Sequence, residues 1–501
     1  MISDLTNPSR DALLMMSVFV ISTIINYTYN IVLVWMLSPN QYGIVGVAIS
    51  FLTILSLFIS AAFPLTVVKF LSENSDNNLK YRVFKSSLIG NLCAALIISI
   101  LFYLLYASGI LHLGIVYMPF VLLIILTLIF SSIGVVYASA LQGMFRFKKY
   151  GLISIITVST KLITAVLLVL FGMGAIGAFL GFIAGTIAGL LMAVAFTSDF
   201  KYWKTAGWVD RRIYSFAFPM FFGTFFMTLI MNLDILGVKF LSEHILSDTF
   251  AGYYRSALII AGLPVFVVSA LMSVMFPYIS KHSPTNANYS NKTLKYTVLM
   301  IFPVVIPLFL IPSPIIALVF PPSYAAASDA LSLLALGMGF FVIITVFVGI
   351  FQAMHHPGVP AIILMFSVVL DIIALLFLVP KYGIIGAAAS TTITCAAAML
   401  GLVGVYFKYG FLKLNFMISV KVLIAFVLFG FFIFILPHAT RSLTLFNLML
   451  SAILYMVILF VFGLLEDEDI KIMIAGFNFD DIKKIKKIIK GVKSLNQIFR
   501  E

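Results

Sequence analysis

The sequence predicts an all-α integral membrane protein of about fourteen transmembrane helices, on three observations. Hydrophobic residues make up 62% of the 501-residue chain, charged residues only 10%, and the mean hydropathy is +1.16. The apolar residues gather into runs of about twenty or more, the length of a helix that crosses a bilayer. The basic residues fall between those runs in an alternating pattern. A soluble domain is about 45–50% apolar and about 25% charged, so no soluble core hides this much apolar surface. Lipid admits only helices or closed barrels, and these runs are too long for barrel strands.

The runs fall roughly at 13–37, 42–68, 86–108, 118–142, 152–172, 175–197, 213–240, 250–279, 296–320, 328–352, 360–380, 384–406, 417–437 and 444–464. The first follows Arg10 and continues to about Leu37, too long for a cleaved signal, so it reads as a retained span. Lys69, Lys80, Arg82 and Lys85 separate the second run from the third, and Arg146, Lys148 and Lys149 the fourth from the fifth. Lys201, Lys204, Arg211 and Arg212 follow the sixth, Lys281, Lys292 and Lys295 the eighth, and Lys408, Lys413 and Lys421 the twelfth. Of the 31 basic residues, only Lys161, Lys239, Arg255, Lys381 and Arg441 lie in spans or on the other side. The positive-inside rule then predicts a multi-pass protein of the cytoplasmic membrane with both termini in the cytoplasm.

The net charge of +13 therefore reflects cytoplasmic loops and not a nucleic-acid surface. Cys93 and Cys395 each sit inside an apolar run, which excludes a disulfide framework and metal-ligand spacing. Asn288-Tyr289-Ser290 and Asn291-Lys292-Thr293 match glycosylation acceptors but lie on the cytoplasmic side, so they read as chance matches. After Glu466-Asp467-Glu468-Asp469, Ile482, Ile485, Ile488, Ile489 and Val492 recur at helical spacing. Lys483, Lys484, Lys486, Lys487, Lys490 and Lys493 fill the opposite face. That pattern predicts an amphipathic tail lying on anionic membrane lipids, against the plainer reading of a solvated basic tail.

Landmarks recur at a nearly constant offset. Gln142 and Gln352 end the fourth and tenth runs, and Gly174-Ala175-Ile176-Gly177-Ala178 and Gly383-Ile384-Ile385-Gly386-Ala387 open the sixth and twelfth. Phe63-Pro64 has a counterpart in Phe276-Pro277. Six runs per unit is an even number, so both units enter the bilayer the same way round, as a parallel repeat with a substrate path between them. The expected organisation is a six-helix bundle over 1–212, a second over 213–410, two additional helices over 411–465 and the basic tail over 466–501. Pro219, Pro264, Pro303 and Pro307 lie inside spans, where they permit bends. Gly177, Gly181, Gly185 and Gly189 form a row that lets a neighbouring helix approach closely, chiefly as static packing.

A charge at the bilayer centre costs about 2.5–3.5 kcal/mol on insertion scales, so each one needs a reason. Lys161 and Asp371 lie 210 residues apart at similar depth in corresponding spans. They are expected to face the gap between the bundles, as an ion pair or as separate sites for a substrate and a coupling ion; the alternative is a buried structural pair, or Lys161 snorkelling to an interface. Asp234, Lys239 and Arg255 lie nearer the outer side, where Asp234 and Arg255 are expected to meet across a hairpin, to close a gate or hold a phosphate. An interfacial salt bridge of small value is the competing reading. Asn26 and Asn30 add a polar stripe one turn apart, for helix–helix hydrogen bonds or substrate contact. No catalytic constellation, phosphate loop or zinc motif stands out, and no outer loop is large enough for an active site, so the chain does not read as an enzyme.

Several short motifs carry a family resemblance. They are Leu37-Ser38-Pro39-Asn40-Gln41-Tyr42-Gly43, Leu141-Gln142-Gly143 with Arg146 and Tyr150-Gly151, Phe218-Pro219, Asp234-Ile235-Leu236-Gly237, Ala251-Gly252-Tyr253-Tyr254 and Pro277. In this order and spacing the sequence resembles the polysaccharide-export flippases of the multidrug/oligosaccharidyl-lipid/polysaccharide superfamily, the group that includes O-antigen flippases. The resemblance implies two six-helix bundles, a central cavity and alternating access. It also implies a polyprenyl-(pyro)phosphate-linked oligosaccharide as cargo, no cofactor beyond a coupling proton or Na+, and glycan-assembly enzymes as partners. Two readings compete with it. A cation-coupled drug or metabolite antiporter of the same superfamily would use Asp371 or Asp234 as its ion site. A non-transporting membrane subunit would use them for folding alone.

Overall fold

The computed structural model describes residues 8–60, 63–73, 77–198, 222, 224–242, 245–282, 288–354, 356–410 and 416–464, and these are helical almost throughout. Phe218-Pro219, Arg211, Arg212 and the basic tail from 465 onward lie outside the described residues. The helices are α1 (Pro8–Met36), α2 (Pro39–Ser60), α3 (Phe63–Glu73), α4 (Asn77–Ala107), α5 (Met118–Gly143), α6 (Phe147–Leu168) and α7 (Gly174–Phe196). A helical stretch at 224–230 leads into α8 (Leu233–Leu241), followed by α9 (Ser247–Ala261), α10 (Leu263–His282), α11 (Asn288–Leu310) and α12 (Pro312–Val319). Then come α13 (Ala327–Ala353), α14 (Gly358–Lys408), α15 (Phe416–Ile435) and α16 (Arg441–Val461).

Eleven helical stretches among the described residues are long and apolar enough to cross a membrane. Two of them, at 50 and 51 residues, are too long for one crossing. Each reverses at a glycine held in a backbone conformation that other residues rarely adopt. Gly174 has φ 52° and ψ −133°, and Gly383, 209 residues later, has φ 55° and ψ −129°. The expected recurrence of the Gly-x-x-Gly-Ala stretch is thus matched by a recurrence of geometry. Dividing both stretches and adding the shorter apolar Val420–Ile435 returns about fourteen crossings.

The reversal explains the glycine row. After Gly174 the chain runs back along α6, and Gly177, Gly181, Gly185 and Gly189 meet Leu168, Ala165, Lys161 and Thr157 in descending order. A Cβ at Gly185 would lie 2.5 Å from the Thr157 carbonyl oxygen, so backbone meets backbone there. Gly386 plays the corresponding part after Gly383, against the Leu378 carbonyl. Pro303 and Pro307 sit inside α11 as expected, whereas Pro264 opens α10 after the break at Gly262.

The helices pack in two groups. α1 to α7 contact one another chiefly through α5, α6 and α7, and α8 to α14 through α13 and α14. The additional pair α15 and α16 leans on the second group through α11 and α12. The groups meet along α1 and α2 on one side and α8, α9 and α10 on the other. Large apolar side chains cover the outside: Leu101, Ile163, Phe366, Phe377, Phe407, Phe434 and Phe446 are all more than half exposed. On a soluble monomer so much exposed apolar surface would drive aggregation; here it faces lipid. This is a multi-pass membrane protein.

Candidate functional site

Corresponding buried polar centres lie in the two groups. In the first, Lys161 on α6 is 8% exposed and its ammonium donates to Asn26 Oδ1 on α1. The same ammonium lies 4.5 Å from the ring centre of Tyr29 and 4.6 Å from that of Phe182. An amide oxygen and two ring faces hold the charge in place of a carboxylate. The Asn26 amide donates to Ser22 O, and Asn30 donates to Asn26 O while its Oδ1 accepts from Tyr42 at 3.3 Å.

In the second group, Asp371 and Asp234 are both fully buried. Asp371 Oδ1 accepts from Ser390 at 2.8 Å and from Thr394 at 3.2 Å, across the reversal at Gly383. Asp371 Oδ2 is buried without a hydrogen-bond partner. Asp234 Oδ2 accepts from Tyr254 at 2.7 Å and Thr391 at 3.5 Å, and its Oδ1 from the Ile235 backbone N–H at 2.7 Å. Consecutive hydroxyls, Ser390 and Thr391, thus serve the two carboxylates.

These centres are equivalent in the repeat. Lys161 corresponds to Asp371 at an offset of 210, and Asn26 to Asp234 at 208. Gly181 and Gly185, which pack on Lys161, correspond to Ser390 and Thr394 at 209. The first unit places small residues beside its lysine and sends the ammonium to α1. The second replaces them with hydroxyls that satisfy a carboxylate. The same backbone frame thus presents a cation in one unit and oxygen ligands in the other.

The expected pairings are corrected by this geometry. Lys161 and Asp371 do not form an ion pair across the gap: the ammonium is held by Asn26 in the first group, and the hydrogen bonds to Asp371 come from Ser390 and Thr394 in the second. Asp234 and Arg255 do not meet as an ion pair either. Tyr254 and Arg255 are adjacent on α9 and so point about 100° apart; Tyr254 turns to Asp234 and Arg255 to the junction between the groups. Lys239 instead pairs with Asp248 at 2.6 Å and also donates to Ser247 at 3.2 Å.

Arg255 occupies the junction. Its stem packs on α2 at Gly46, where a Cβ would lie 3.1 Å from Arg255 Cγ. The guanidinium lies beside the Tyr42 hydroxyl, and its Nε is buried without a hydrogen-bond partner. Beyond Arg255, one end of the junction is sealed. A Cβ on Gly43 would fall 1.7 Å from Asp248 O, and one on Gly252 1.9 Å from Pro39 O, so α2 and α9 cross backbone on backbone. Tyr117 from the first group donates to Asp248, Tyr324 donates to Leu37 O at 3.1 Å, and Trp35 donates to Val319 O at 3.0 Å.

An apolar groove of about 350 Å³ lies beside this junction, between α1, α9, α11, α12, α15 and α16. Tyr27, Ile259, Pro303, Phe320, Leu448 and Ala452 are among its walls. Ile259 is one helical turn from Arg255, so a cationic site and an apolar trough adjoin.

Sequence reasoning missed Tyr42, Tyr117, Asp248, Tyr254 and the hydroxyls of Ser390, Thr391 and Thr394. The signal for the last group was present: the 209-residue offset aligns Ser390 and Thr394 with the glycines beside Lys161. Tyr42-Gly43 and Gly252-Tyr253-Tyr254 stood inside the motif stretches without a role.

Residues 9–283 match the family model described as "Polysaccharide biosynthesis protein". The probable low-salt glycan biosynthesis flippase Agl15 of Haloferax volcanii is 26% identical over 214 residues, 40% of this chain and 43% of that protein. The uncharacterised membrane protein MJ1068 of Methanocaldococcus jannaschii is 30% identical over 100 residues, 20% of each chain. The matched stretches therefore span less than half the length of these curated relatives. Among solved structures, the lipid II flippase MurJ in an inward closed conformation aligns with TM-score 0.66 and 18% identity, over 88% of this chain and 98% of that one. An inward-facing multidrug resistance MATE family transporter of the MOP superfamily aligns with TM-score 0.62 and 14% identity, over 79% and 98%. These two likenesses establish the fold.

Proposed function

We propose that this chain, which belongs to the polysaccharide biosynthesis protein family, carries a polyprenyl-(pyro)phosphate-linked oligosaccharide across the cytoplasmic membrane by alternating access. The observation that carries this reading is that Arg255, at the junction of the two helical groups, stands one helical turn from Ile259 in the wall of the apolar groove. The cargo has a dianionic diphosphate, a polar glycan and a long hydrocarbon tail. A guanidinium suits the diphosphate through paired donors, and the groove suits the tail. The glycan then lies between the groups, where hydrocarbon does not reach it. The names of Agl15 and MurJ, a glycan biosynthesis flippase and a lipid II flippase, support this cargo class.

The sealed end is extracytoplasmic in this reading, and both termini are cytoplasmic, from the distribution of Lys and Arg. The units over 1–212 and 213–410 rock against each other about the junction. Asp234 and Asp371 bind a coupling Na+. Two carboxylates and three hydroxyl oxygens form the set of hard ligands that such a cation takes, and the unpartnered Asp371 Oδ2 supplies a free lone pair. Glycan-assembly enzymes that load and unload the cargo are its partners. No step requires covalent chemistry by the chain.

The test is complementation of a flippase-deficient strain, with lipid-linked glycan measured on each leaflet. The expected result is a fall in cytoplasmic-leaflet intermediates; persistence of those intermediates with the protein well expressed would rule out this cargo. The MATE likeness supports a cation-coupled antiporter as second reading, which requires no tail site. Ala452→Phe places a ring in the groove from its exposed wall and separates the two. It is expected to slow transport of a long-chain polyprenyl cargo about tenfold by occupying space the tail needs, equivalent to about 1.4 kcal/mol of lost binding. An antiporter of small solutes would keep its rate.

A further inference from the structure

We infer that the Tyr254 hydroxyl is the link through which Na+ at the two carboxylates controls the sealed end. This rests on the transport reading above and adds to it a positioning residue. Helix α9 carries every element of the connection. Asp248, Gly252 and Arg255 follow at spacings of four and three and so share one face, which meets α2 and the junction. Tyr254 is about 200° around the helix from Gly252. It is fully buried against the second group, where it donates to Asp234 at 2.7 Å. One rigid helix of 15 residues thus has its front built into the seal and its back tied to a carboxylate.

A phenol has one proton. Without a cation that proton binds Asp234 Oδ2 and holds α9 against α8. A Na+ between Asp234 and Asp371 draws electron density from the same oxygen and weakens its hold on the proton. The Tyr254 oxygen already lies 3.2 Å from Thr391 Oγ1, so the hydroxyl has a second partner to turn to. The back of α9 then shifts its hold from α8 to Thr391 on α14, and its front leaves α2. Arg255 moves with it, since it is the next residue in the chain. The coupling therefore has two states of one hydrogen bond at its centre, and the ion biases them by differential affinity.

The experiment uses the full chain in proteoliposomes, with spin labels on Ile115→Cys and Ile245→Cys in a Cys93→Ser background. Ile115 and Ile245 are 86% and 93% exposed and lie beside the sealed end, one from each group. In the wild-type background, replacing choline with Na+ is expected to lengthen the label separation. Tyr254→Phe keeps the ring and removes only the oxygen. It is expected to bind ²²Na+ as before while the Na+-dependent change in separation falls about fivefold or more. Asp234→Asn leaves Tyr254 an acceptor and removes a ligand charge, and is expected to stay in the Na+-free distribution. A Tyr254→Phe protein that binds Na+ and still lengthens as the wild type does overturns the inference. Loss of Na+ binding in Tyr254→Phe overturns it too, because the phenol is then a ligand. A wild type that neither binds nor responds to Na+ removes the cation reading itself, and the inference with it.

Discussion

Arg255→Ala is expected to lower transport and the affinity for a soluble sugar diphosphate by about a hundredfold, with Arg255→Lys recovering part of both. The guanidinium is the polar group of the junction with an unmet donor: its Nε is buried and unpartnered, and no carboxylate among the described residues lies within ion-pair distance. Asp234, the acid expected to neutralise it, is taken by Tyr254. The Tyr42 hydroxyl beside the guanidinium is a neutral partner, so an arriving diphosphate supplies the opposite charge that the junction lacks. Two charge-assisted hydrogen bonds contribute about 1.5–3 kcal/mol each before ordering costs, and about 3 kcal/mol net is a factor of about a hundred. Lysine restores the charge but not the fork, so its recovery is partial. Lys161 does not substitute, because Asn26, Tyr29 and Phe182 already hold its ammonium. Titration calorimetry on the purified protein and flux in proteoliposomes measure the two quantities. Binding within twofold of the wild type in Arg255→Ala would move the diphosphate elsewhere.

The spans were legible because lipid imposes one requirement on every residue that faces it. A run such as 328–352 needs no partner to be recognised, and α13 covers Ala327–Ala353. Reversals at Gly174 and Gly383 were legible as a repeated glycine motif, since a positive φ is a local property of the chain. The equivalent places of Lys161 and Asp371 in the two units were legible from their 210-residue spacing. Their partners were not, because partnership depends on rotation about the helix axis and on helices distant in sequence. A shift of one residue turns a side chain about 100°, which is the whole difference between Tyr254 on Asp234 and Arg255 at the junction. Composition also directs attention to charged partners, whereas the carboxylates here are met by Ser390, Thr391, Thr394 and Tyr254. Hydroxyls are common in such helices and carry no signal until the repeat is laid over itself.

Gly252→Val is expected to abolish transport while the protein still folds and reaches the membrane, and Gly43→Val should do the same. At this crossing the obstruction is backbone: the Pro39 carbonyl oxygen would lie 1.9 Å from a Cβ on Gly252, and the Asp248 carbonyl oxygen 1.7 Å from one on Gly43. No rotamer change clears a main-chain oxygen, so the helices must part. Overpacking costs about 1–3 kcal/mol where side chains can adjust and more where they cannot. The penalty falls on the sealed state alone, because α2 and α9 belong to different groups whose internal contacts are untouched. A penalty of about 3 kcal/mol on one of two states shifts their ratio about a hundredfold, and alternating access needs both. Labels at Ile115→Cys and Ile245→Cys should therefore report the longer separation with or without Na+. The double Gly43→Val/Gly252→Val variant should lose no more than either single one, since one parted crossing relieves both clashes. Gly404→Ala is the matched control, because no atom lies within 4 Å of its Cβ position. Wild-type separation and flux in Gly252→Val would show that the two groups do not need this contact to seal.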